Sequence, residues 1–214
     1  MVTRIKICGI TRKEDVSKAV MLGVDALGFI LAESPRRISL EKTAELVRLI
    51  PPFVSTVAVV ANPEITEREK IRRSGIFSHV QFHGEKDPDR LSVWPLKTIR
   101  AFSIGEERDL ESIPYTSTDD FILFDTKSGE KRGGTGETFD WSLLKTVKMA
   151  KPFILAGGLG PENIIEAIER CRPAAVDLNS CIEKEPGIKD HEKMELTVKR
   201  IREDHTYITG RNKK

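Results

Sequence analysis

The sequence predicts one α/β domain in which eight parallel strands close into a barrel surrounded by helices, a (β/α)₈ or TIM barrel. Apolar runs rich in Val and Ile alternate with helix-like segments along almost all of the 214 residues. The longer runs are apolar on both faces, which is typical of parallel strands buried beneath helices. Eight strand–helix units of about 27 residues each fit the chain, near the lower size limit of a closed barrel. An open doubly wound sheet is the alternative, but it typically has about five or six strands.

Each strand is predicted where a short apolar run is bounded by polar or turn-forming residues. In chain order the strands fall at about 3–8, 25–31, 54–61, 78–82, 97–102, 120–125, 152–156 and 174–178. Strands that alternate with helices pair in parallel through right-handed crossovers. We therefore expect all eight strands to point the same way.

The helices are predicted between the strands, at roughly 12–22, 40–49, 64–74, 87–92, 106–112, 141–148, 161–170 and 190–203. Residues with capping preferences mark several ends. Ser39 precedes the second helix as an N-cap, and Thr11 with Glu14 matches a capping box at the first helix. Gly75 stands where the third helix should stop, and Pro161 suits the first turn of the seventh.

Composition and charge narrow the class of protein. Lys and Arg number 35 against 33 Asp and Glu, and the two signs are mixed along the chain, so there is no basic block apart from the last few residues. No apolar run approaches the roughly 20 residues that cross a bilayer, and the N-terminus lacks the apolar region of a signal peptide. We expect a cytoplasmic protein without nucleic-acid or membrane partners, with a catalytic barrel over 1–205 and a basic, poorly ordered tail over 206–214.

Polar or conformationally special residues follow six of the predicted strands. They are Cys8-Gly9 after strand one, Arg36-Arg37 after strand two, His83-Gly84 after strand four, Asp125-Thr126 at the end of strand six, Gly157-Gly158 after strand seven, and Asp177 to Cys181 at strand eight. Any one of them alone is an ordinary loop residue. Because the active site of a (β/α)₈ barrel lies at the carboxyl ends of the strands, together they predict a polar site on one rim.

Several short motifs run in order from residue 6 to residue 190. They are Lys6-Ile7-Cys8-Gly9-Ile10, Ser34-Pro35-Arg36-Arg37-Ile38-Ser39, Gln81-Phe82-His83-Gly84, Asp125-Thr126, Gly133-Gly134-Thr135-Gly136, Phe139-Asp140-Trp141, Ala156-Gly157-Gly158-Leu159, Pro161-Glu162-Asn163 and Pro186-Gly187-Ile188-Lys189-Asp190. In order and spacing they resemble the phosphoribosylanthranilate isomerase family of tryptophan biosynthesis. The resemblance implies a small phosphoribosyl substrate and an Amadori rearrangement, in which an N-phosphoribosyl aminoaldose becomes a 1-deoxyribulose phosphate aminoketose.

The resemblance implies that Cys8 is the general base and Asp125 the general acid. The acid protonates the furanose ring oxygen so that the ring opens, and the base removes the C2′ proton. Asp125 follows an apolar run, so we expect burial to raise its pKa and keep it protonated. The ordinary pKa of a thiol is about 8.5, so Cys8 needs help from its surroundings to become a thiolate. The alternative is a small buried cysteine that only packs.

Three further side chains match substrate-binding positions of the family. The resemblance implies that Arg36 binds the anthranilate carboxylate, since a guanidinium grips a carboxylate through two parallel hydrogen bonds. The sequence does not separate it from neighbouring Arg37. Asp177 and His83 match positions near the substrate; for Asp177 the alternative is orienting the strand-eight loop, and for His83 a structural histidine bonded to the backbone.

The substrate phosphate is expected between the loops after strands seven and eight. There Gly157 and Gly158 offer amides that no side chain shields, and Ser180 and Cys181 belong to the loop after strand eight. The family usually has Ser-Ser-Gly where this chain has Asn179-Ser180-Cys181. A Cβ at position 181 is expected to crowd the phosphate or to disfavour a positive φ.

No metal or organic cofactor is implied, because the histidines are scattered along the chain and acid–base chemistry needs neither. The three cysteines, Cys8, Cys171 and Cys181, are odd in number and wrongly spaced for a zinc site or a disulfide framework. Cys8 and Cys181 fall on adjacent loops of a closed barrel, which suggests an inactivating disulfide under oxidation. The glycine-rich segment 133–136 lies in a long loop that we expect to close over the substrate.

Two further functions stay open at this point. One is another phosphosugar isomerase or epimerase on the same barrel; Cys8 and Arg36 argue against it, because a plain sugar phosphate offers no aryl carboxylate to bind. The second is a catalytically inert relative that binds phosphorylated ligands, which only the altered strand-eight loop supports. The sequence does not distinguish a monomer from a homodimer.

Overall fold

The chain forms the closed parallel barrel that the sequence predicts. A computed structural model describes residues 2–83, 95–111, 113, 120–126, 141–145 and 152–211. Eight strands pair in sequence order, and the first also pairs with the eighth, which closes the barrel. Every neighbouring pair in the barrel is parallel. The doubly wound alternative was therefore wrong.

All eight predicted strands are confirmed, with ends that differ by one or two residues. They are β1 Arg4–Ile7, β2 Ala26–Ile30, β3 Ser55–Ala61, β4 His79–His83, β5 Lys97–Ile104, β6 Phe121–Thr126, β7 Phe153–Leu155 and β8 Ala175–Leu178. Val, Ile, Leu and Phe dominate these segments because a barrel strand is packed on both faces. Alternate residues therefore point into the barrel and out towards the helices.

Six α-helices lie among the described residues: α1 Lys13–Met21, α2 Leu40–Val47, α3 Ile65–Ser74, α4 Glu107–Glu111, α5 Ile164–Cys171 and α6 His191–Arg211. The helix predicted at 87–92 falls outside the described residues. The segment predicted as a helix at 141–148 forms a 3₁₀ turn over Trp141–Lys145. The last helix continues to Arg211, beyond the predicted end at 203. None of the helices in the described ranges is both long and apolar enough to cross a membrane.

The helix ends are partly as the sequence predicts. Ser39 caps α2 by accepting a hydrogen bond from the Lys42 amide, and Gly75 ends α3 with a left-handed φ of 63°. The capping box at Thr11 was wrong, because the Thr11 hydroxyl donates to the Gly187 carbonyl instead of capping α1. Pro161 lies in a turn before α5, which begins at Ile164.

Two apolar clusters separate the inside of the barrel from its outer layer. The inner cluster contains small and branched side chains, among them Val57, Val59, Ile99, Leu123 and Ile154. The outer cluster fills the space between strands and helices and is much larger. The inner apolar cluster fills only part of the barrel, and polar groups of the site also lie inside the barrel.

The segment after β8 holds two short strands that the sequence pattern did not predict. A 3₁₀ turn at Ser180–Ile182 leads into β9 Glu183–Glu185, which pairs antiparallel with β10 Ile188–Lys189. Pro186 and Gly187 make the turn, and Gly187 has a φ of 86°. Pro followed by Gly at the centre of a turn favours this geometry, so the signal was present in the sequence.

Candidate active site

The predicted site residues gather at the carboxyl end of the barrel, as the parallel topology requires. Cys8 directly follows β1, Asp125 is the last residue but one of β6, and Asp177 is the third residue of β8. His83 ends β4, and Gly157 follows β7 by two residues. Because all eight strands run in one direction, these side chains share one mouth of the barrel.

Cys8 is buried in the inner cluster beside Lys6, a lysine that was not among the predicted site residues. The Cys8 side chain is 4% exposed. A Cβ added at Gly28 would stand 2.9 Å from the Cys8 sulfur and 3.0 Å from the Lys6 Nζ, so both atoms border the space that this glycine leaves empty. Burial raises the pKa of the Cys8 thiol, and the ammonium groups of Lys6 and Lys189 oppose that rise.

Lys6 and Asp177 form a buried ion pair across strands β1 and β8. The two are register partners, and the Lys6 Nζ donates to Asp177 Oδ2 over 2.7 Å with both side chains almost wholly buried. Burial alone would lower the pKa of Lys6, but the charges of Asp177 and Cys8 outweigh it and the pKa rises, so Lys6 carries its proton. The Asp177 Oδ1 is buried and makes no hydrogen bond with the residues that the structure describes. That oxygen is free to accept one from a ligand.

Asp125 has the perturbed acidity that the sequence predicts. Burial, followed by the nearby charge of Asp177, raises the pKa of Asp125 to about 6. A backbone hydrogen bond from Thr126 and the charge of Lys6 limit the rise. A carboxyl group with this pKa holds its proton in a useful fraction of molecules near neutral pH, which suits an acid that protonates an oxygen atom.

His83 is paired with a side chain rather than with the backbone. Its Nε2 lies 2.8 Å from the Nε2 of Gln81, two residues earlier on the same face of β4. Burial lowers the pKa of His83 to about 4, so the ring is neutral and accepts the amide N–H. Within the described part of the chain, the buried Oε1 of Gln81 has no hydrogen-bond partner.

The structure separates Arg36 from Arg37. Arg37 pairs with Glu33 on the surface. The Nε and Nη2 of Arg36 instead donate to both carboxylate oxygens of Glu183, at 2.7 to 3.0 Å. Glu183 also accepts a hydrogen bond from Lys189 Nζ at 2.8 Å. Because Glu183 and Lys189 both belong to the unpredicted hairpin after β8, that hairpin fixes the plane of the Arg36 guanidinium.

Lys189 in turn joins this pair to the strand-eight loop. Its side chain is buried, and its Nζ donates to the Asn179 Oδ1 at 3.0 Å as well as to Glu183. Although burial opposes the change, the hydrogen bond from Arg36 and the charge of Lys189 lower the pKa of Glu183. Glu183 is thus an anion that binds two cations, and it belongs to the site.

The loops after β7 and β8 lie against each other where the phosphate is predicted. Gly157 and Gly158 have left-handed φ values of 87° and 64°, and a Cβ at Gly157 would overlap Thr126. The Asn163 side chain accepts from the Gly160 amide and donates to the Gly158 carbonyl, which pins the turn before α5.

Cys181 fits this loop without the backbone strain that the sequence suggests. Cys181 is not among the non-glycine residues with a positive φ. A Cβ added at Gly160 would stand 2.7 Å from the Cys181 Cβ, so the side chain of Cys181 packs against the loop after β7 in space that Gly160 provides. Ser180 is half-buried beside it. All three cysteines are free thiols, and the Cys8–Cys181 disulfide stays a prediction.

Four side chains of the site were not predicted: Lys6, Gln81, Glu183 and Lys189. Two of them carried a readable signal, because residues two apart on a strand share a face and thus Lys6 accompanies Cys8 and Gln81 accompanies His83. The remaining two depend on the hairpin fold. The glycine-rich segment 133–136 lies outside the described residues. Within the described ranges, no three His, Cys, Asp or Glu side chains are grouped to hold a metal ion.

A partly buried carboxyl group of raised pKa and a buried thiol beside an ammonium, at the mouth of a (β/α)₈ barrel, are the groups of an acid–base enzyme. Residues 5–200 match the family model described as N-(5'phosphoribosyl)anthranilate (PRA) isomerase. The N-(5'-phosphoribosyl)anthranilate isomerase of Petrotoga mobilis is 55% identical over 199 residues, covering 92% of this chain and 96% of the relative. The chain belongs to the phosphoribosylanthranilate isomerase family.

Solved structures agree with this assignment. The phosphoribosylanthranilate isomerase of Thermotoga maritima superposes with a TM-score of 0.86 at 38% identity, covering 94% of this chain and 98% of that one. A phosphoribosylanthranilate isomerase in complex with reduced 1-(o-carboxyphenylamino)-1-deoxyribulose 5-phosphate gives 0.82 at 35% identity with the same coverage. A structure of monomers made from the dimeric Thermotoga maritima enzyme gives 0.82 at 34% identity, again with the same coverage.

Proposed function

We propose that this enzyme converts N-(5-phosphoribosyl)anthranilate to 1-(2-carboxyphenylamino)-1-deoxyribulose 5-phosphate in tryptophan biosynthesis. The observation that carries the proposal is the pair of Cys8 and Asp125 at the ends of β1 and β6, one thiol and one acid of raised pKa in the same barrel mouth. Membership of the family supports it, as does the product analogue bound to a related structure. The cytoplasmic location stays a prediction.

Asp125 begins the reaction as the general acid. Its protonated carboxyl group gives a proton to the furanose ring oxygen, the C1′–O bond breaks, and the anthranilate nitrogen supplies the electron pair that forms the Schiff base. The Cys8 thiolate then removes the C2′ proton, and the electron pair of that C–H bond forms the enolamine. The Cys8 thiol then returns its proton to C1′ and the Asp125 carboxylate takes the proton of the 2′-hydroxyl, which gives the aminoketose and restores both groups without a cofactor.

The remaining side chains bind and orient the substrate. Arg36 binds the anthranilate carboxylate through the N–H groups that do not donate to Glu183. Glu183 accepts hydrogen bonds only from Nε and from one N–H of Nη2. Asp177 accepts a hydrogen bond at its unpaired Oδ1, and His83 contacts the substrate as a neutral ring. The phosphate binds between the loops after β7 and β8, against Gly157, Gly158, Ser180 and Cys181.

The test follows the loss of substrate fluorescence, because ring opening and rearrangement change the anthranilate group. We expect Cys8→Ala and Asp125→Asn each to lower kcat by about a hundredfold or more while leaving the far-ultraviolet spectrum unchanged. Cys171→Ala is the matched control, because Cys171 lies in α5 and packs against the outer cluster. Normal turnover in Cys8→Ala contradicts the assignment of the base.

The same assay separates the alternatives. Turnover of ribose 5-phosphate in place of the anthranilate substrate identifies a general phosphosugar isomerase, and turnover of neither identifies an inert binding protein. An Arg36→Lys variant that loses activity on the anthranilate substrate through KM supports carboxylate recognition, because a lysine cannot reproduce the planar guanidinium.

We further propose that the enzyme is a homodimer that associates through the amino-terminal face of the barrel. Phe53 is fully exposed, with a left-handed φ of 71°, beside a mostly apolar cavity of about 500 Å³ at that face. A related enzyme is described as dimeric. Light scattering of Phe53→Ser should report a monomer, and Met21→Ser, which removes an exposed side chain from α1, should not change the mass.

A further inference from the structure

We propose that Lys6 is a positioning residue for the general base: its ammonium group stabilises the Cys8 thiolate and so sets the fraction of enzyme that can take the C2′ proton. The inference rests on the proposed function, in which Cys8 is that base. Lys6 itself binds Asp177, lies beside Cys8 and needs no contact with the substrate.

The geometry places one cation between two acidic groups. The Lys6 Nζ binds Asp177 Oδ2 at 2.7 Å, and the same Nζ shares with the Cys8 sulfur the space beside Gly28. Each atom stands about 3 Å from the absent Cβ, so the two are within about 6 Å of each other. Lys6 lies on β1 and Cys8 directly follows that strand, and in extended backbone residues two apart have their side chains on the same face, here the inside of the barrel.

Burial makes this cation necessary. A thiolate in an apolar cluster loses its hydration, and burial is the largest influence that raises the pKa of Cys8. Lys6 is the largest influence that lowers it. A unit charge about 6 Å away in a protein of effective dielectric constant about 20 changes a protonation equilibrium on the order of a hundredfold.

Two further charged groups in the described part of the chain act on the Cys8 thiol: Asp177 on β8 and Lys189 on β10. Asp125 on β6 interacts with both members of the Lys6–Asp177 pair, and the neutral ring of His83 on β4 interacts with Lys6. Asp177 disfavours the thiolate and Lys189 favours it, but Lys189 is bound by Glu183 and Asn179. Lys6 therefore is the cation whose removal should change Cys8 most.

The experiment titrates Cys8 in the free enzyme through the ultraviolet absorbance of its thiolate, with the Cys8→Ala protein subtracted. We expect the midpoint in Lys6→Gln to rise by about one pH unit or more, which is about a tenfold loss of thiolate below the midpoint. Arg4→Gln is the matched control, since Arg4 is a cation two residues earlier on β1 that pairs with Asp25 at the exposed end. An unchanged Cys8 midpoint in Lys6→Gln overturns the proposal.

A second comparison covers the case in which Lys6→Gln leaves Asp177 as an unpaired buried charge and does not fold. The Asp177→Asn variant has no carboxylate at position 177, so Lys6→Gln can be added to it without leaving a buried charge unpaired. Cys8 should titrate at higher pH in the double variant than in Asp177→Asn alone, and equal midpoints overturn the proposal. Turnover is measured separately. If Cys8→Ala keeps its activity, the assignment of Cys8 as the base is wrong, whereas the effect of Lys6 on the pKa of the thiol is decided by the titration alone.

Discussion

Replacing Asp125 with Asn should stabilise the folded protein, by an amount that depends on pH. The pKa of Asp125 is about 6 in the fold, against 3.8 for an ordinary aspartate. A carboxyl group whose folded pKa is raised contributes stability that is fully present below its unfolded pKa and is lost as pH rises through the folded pKa. Ionising Asp125 inside the barrel therefore costs the wild-type protein about 3 kcal/mol above about pH 6.

Asparagine imitates the protonated acid and never ionises. We expect Asp125→Asn and the wild type to have similar free energies of unfolding near about pH 4, and the variant to be more stable by up to about 3 kcal/mol near about pH 8. Urea denaturation of both proteins across this pH range gives the difference in their free energies of unfolding. The contributions of the other titrating groups cancel in that difference. The same variant should lose most of its turnover.

A control of opposite sign is available next to the same strand. Asp120 lies immediately before β6, and hydrogen bonds from Lys97 and from the Thr98 amide lower its pKa. Asp120→Asn should therefore cost stability at high pH and little at low pH. If Asp125→Asn is stabilising by the same amount at both ends of the range, the effect is one of packing, and a buried charge is not its cause.

The loops and the guanidinium anchor allow three further predictions. Gly157→Ala should raise KM and lower Tm by more than Gly75→Ala, because both glycines have a positive φ but only Gly157 also lacks room for a Cβ; equal losses of Tm would assign the whole cost to φ. Glu183→Gln should raise KM about tenfold with a smaller change in kcat, since it weakens the charge-assisted bonds that orient the guanidinium; steady-state kinetics showing only a loss of kcat would contradict this. Gly160→Ala should cost about 1–3 kcal/mol in urea denaturation, and less in a Cys181→Gly background, so that additive costs would disprove their contact.

Most of the fold is predictable from the sequence because barrel strands are packed on both faces. Residues 54–61 are almost all apolar, and in a chain that alternates strand with helix such a run indicates a buried parallel strand. The pattern does not reveal contacts between distant segments. Thr11 has the sequence context of a cap, but the hairpin turn at Gly187 supplies the acceptor for its hydroxyl. Local propensity was overridden by a partner 176 residues away.

The site was predicted in part for the same reason. Cys8, Asp125 and Asp177 follow apolar strand residues, so the topology alone puts them in one mouth. Lys6 was not predicted because a lysine inside an apolar strand looks like an exception. Its position two residues before Cys8 nevertheless places the two side chains on the same face of the strand. The anchoring of Arg36 by Glu183 needs the folded segment after β8, and no spacing in the sequence indicates that pairing.

The charges in the barrel mouth explain how the proposed acid, Asp125, and the proposed base, Cys8, can have different electrostatic environments. The pKa of Asp125 is raised by burial and by the carboxylate of Asp177, so a negative neighbour increases the fraction of Asp125 that is protonated. As the proposed base, Cys8 must lose its proton although burial raises the pKa of its thiol, and the ammonium group of Lys6 opposes that rise. The Lys6–Asp177 pair supplies both fields at once, the anion for Asp125 and the ammonium for Cys8. Neutralising the pair should therefore move the two pKa values in opposite directions, lowering that of Asp125 and raising that of Cys8. The pH–rate profile of Lys6→Gln/Asp177→Asn measures both changes. If its two limbs move in the same direction, the pair does not separate the two pKa values.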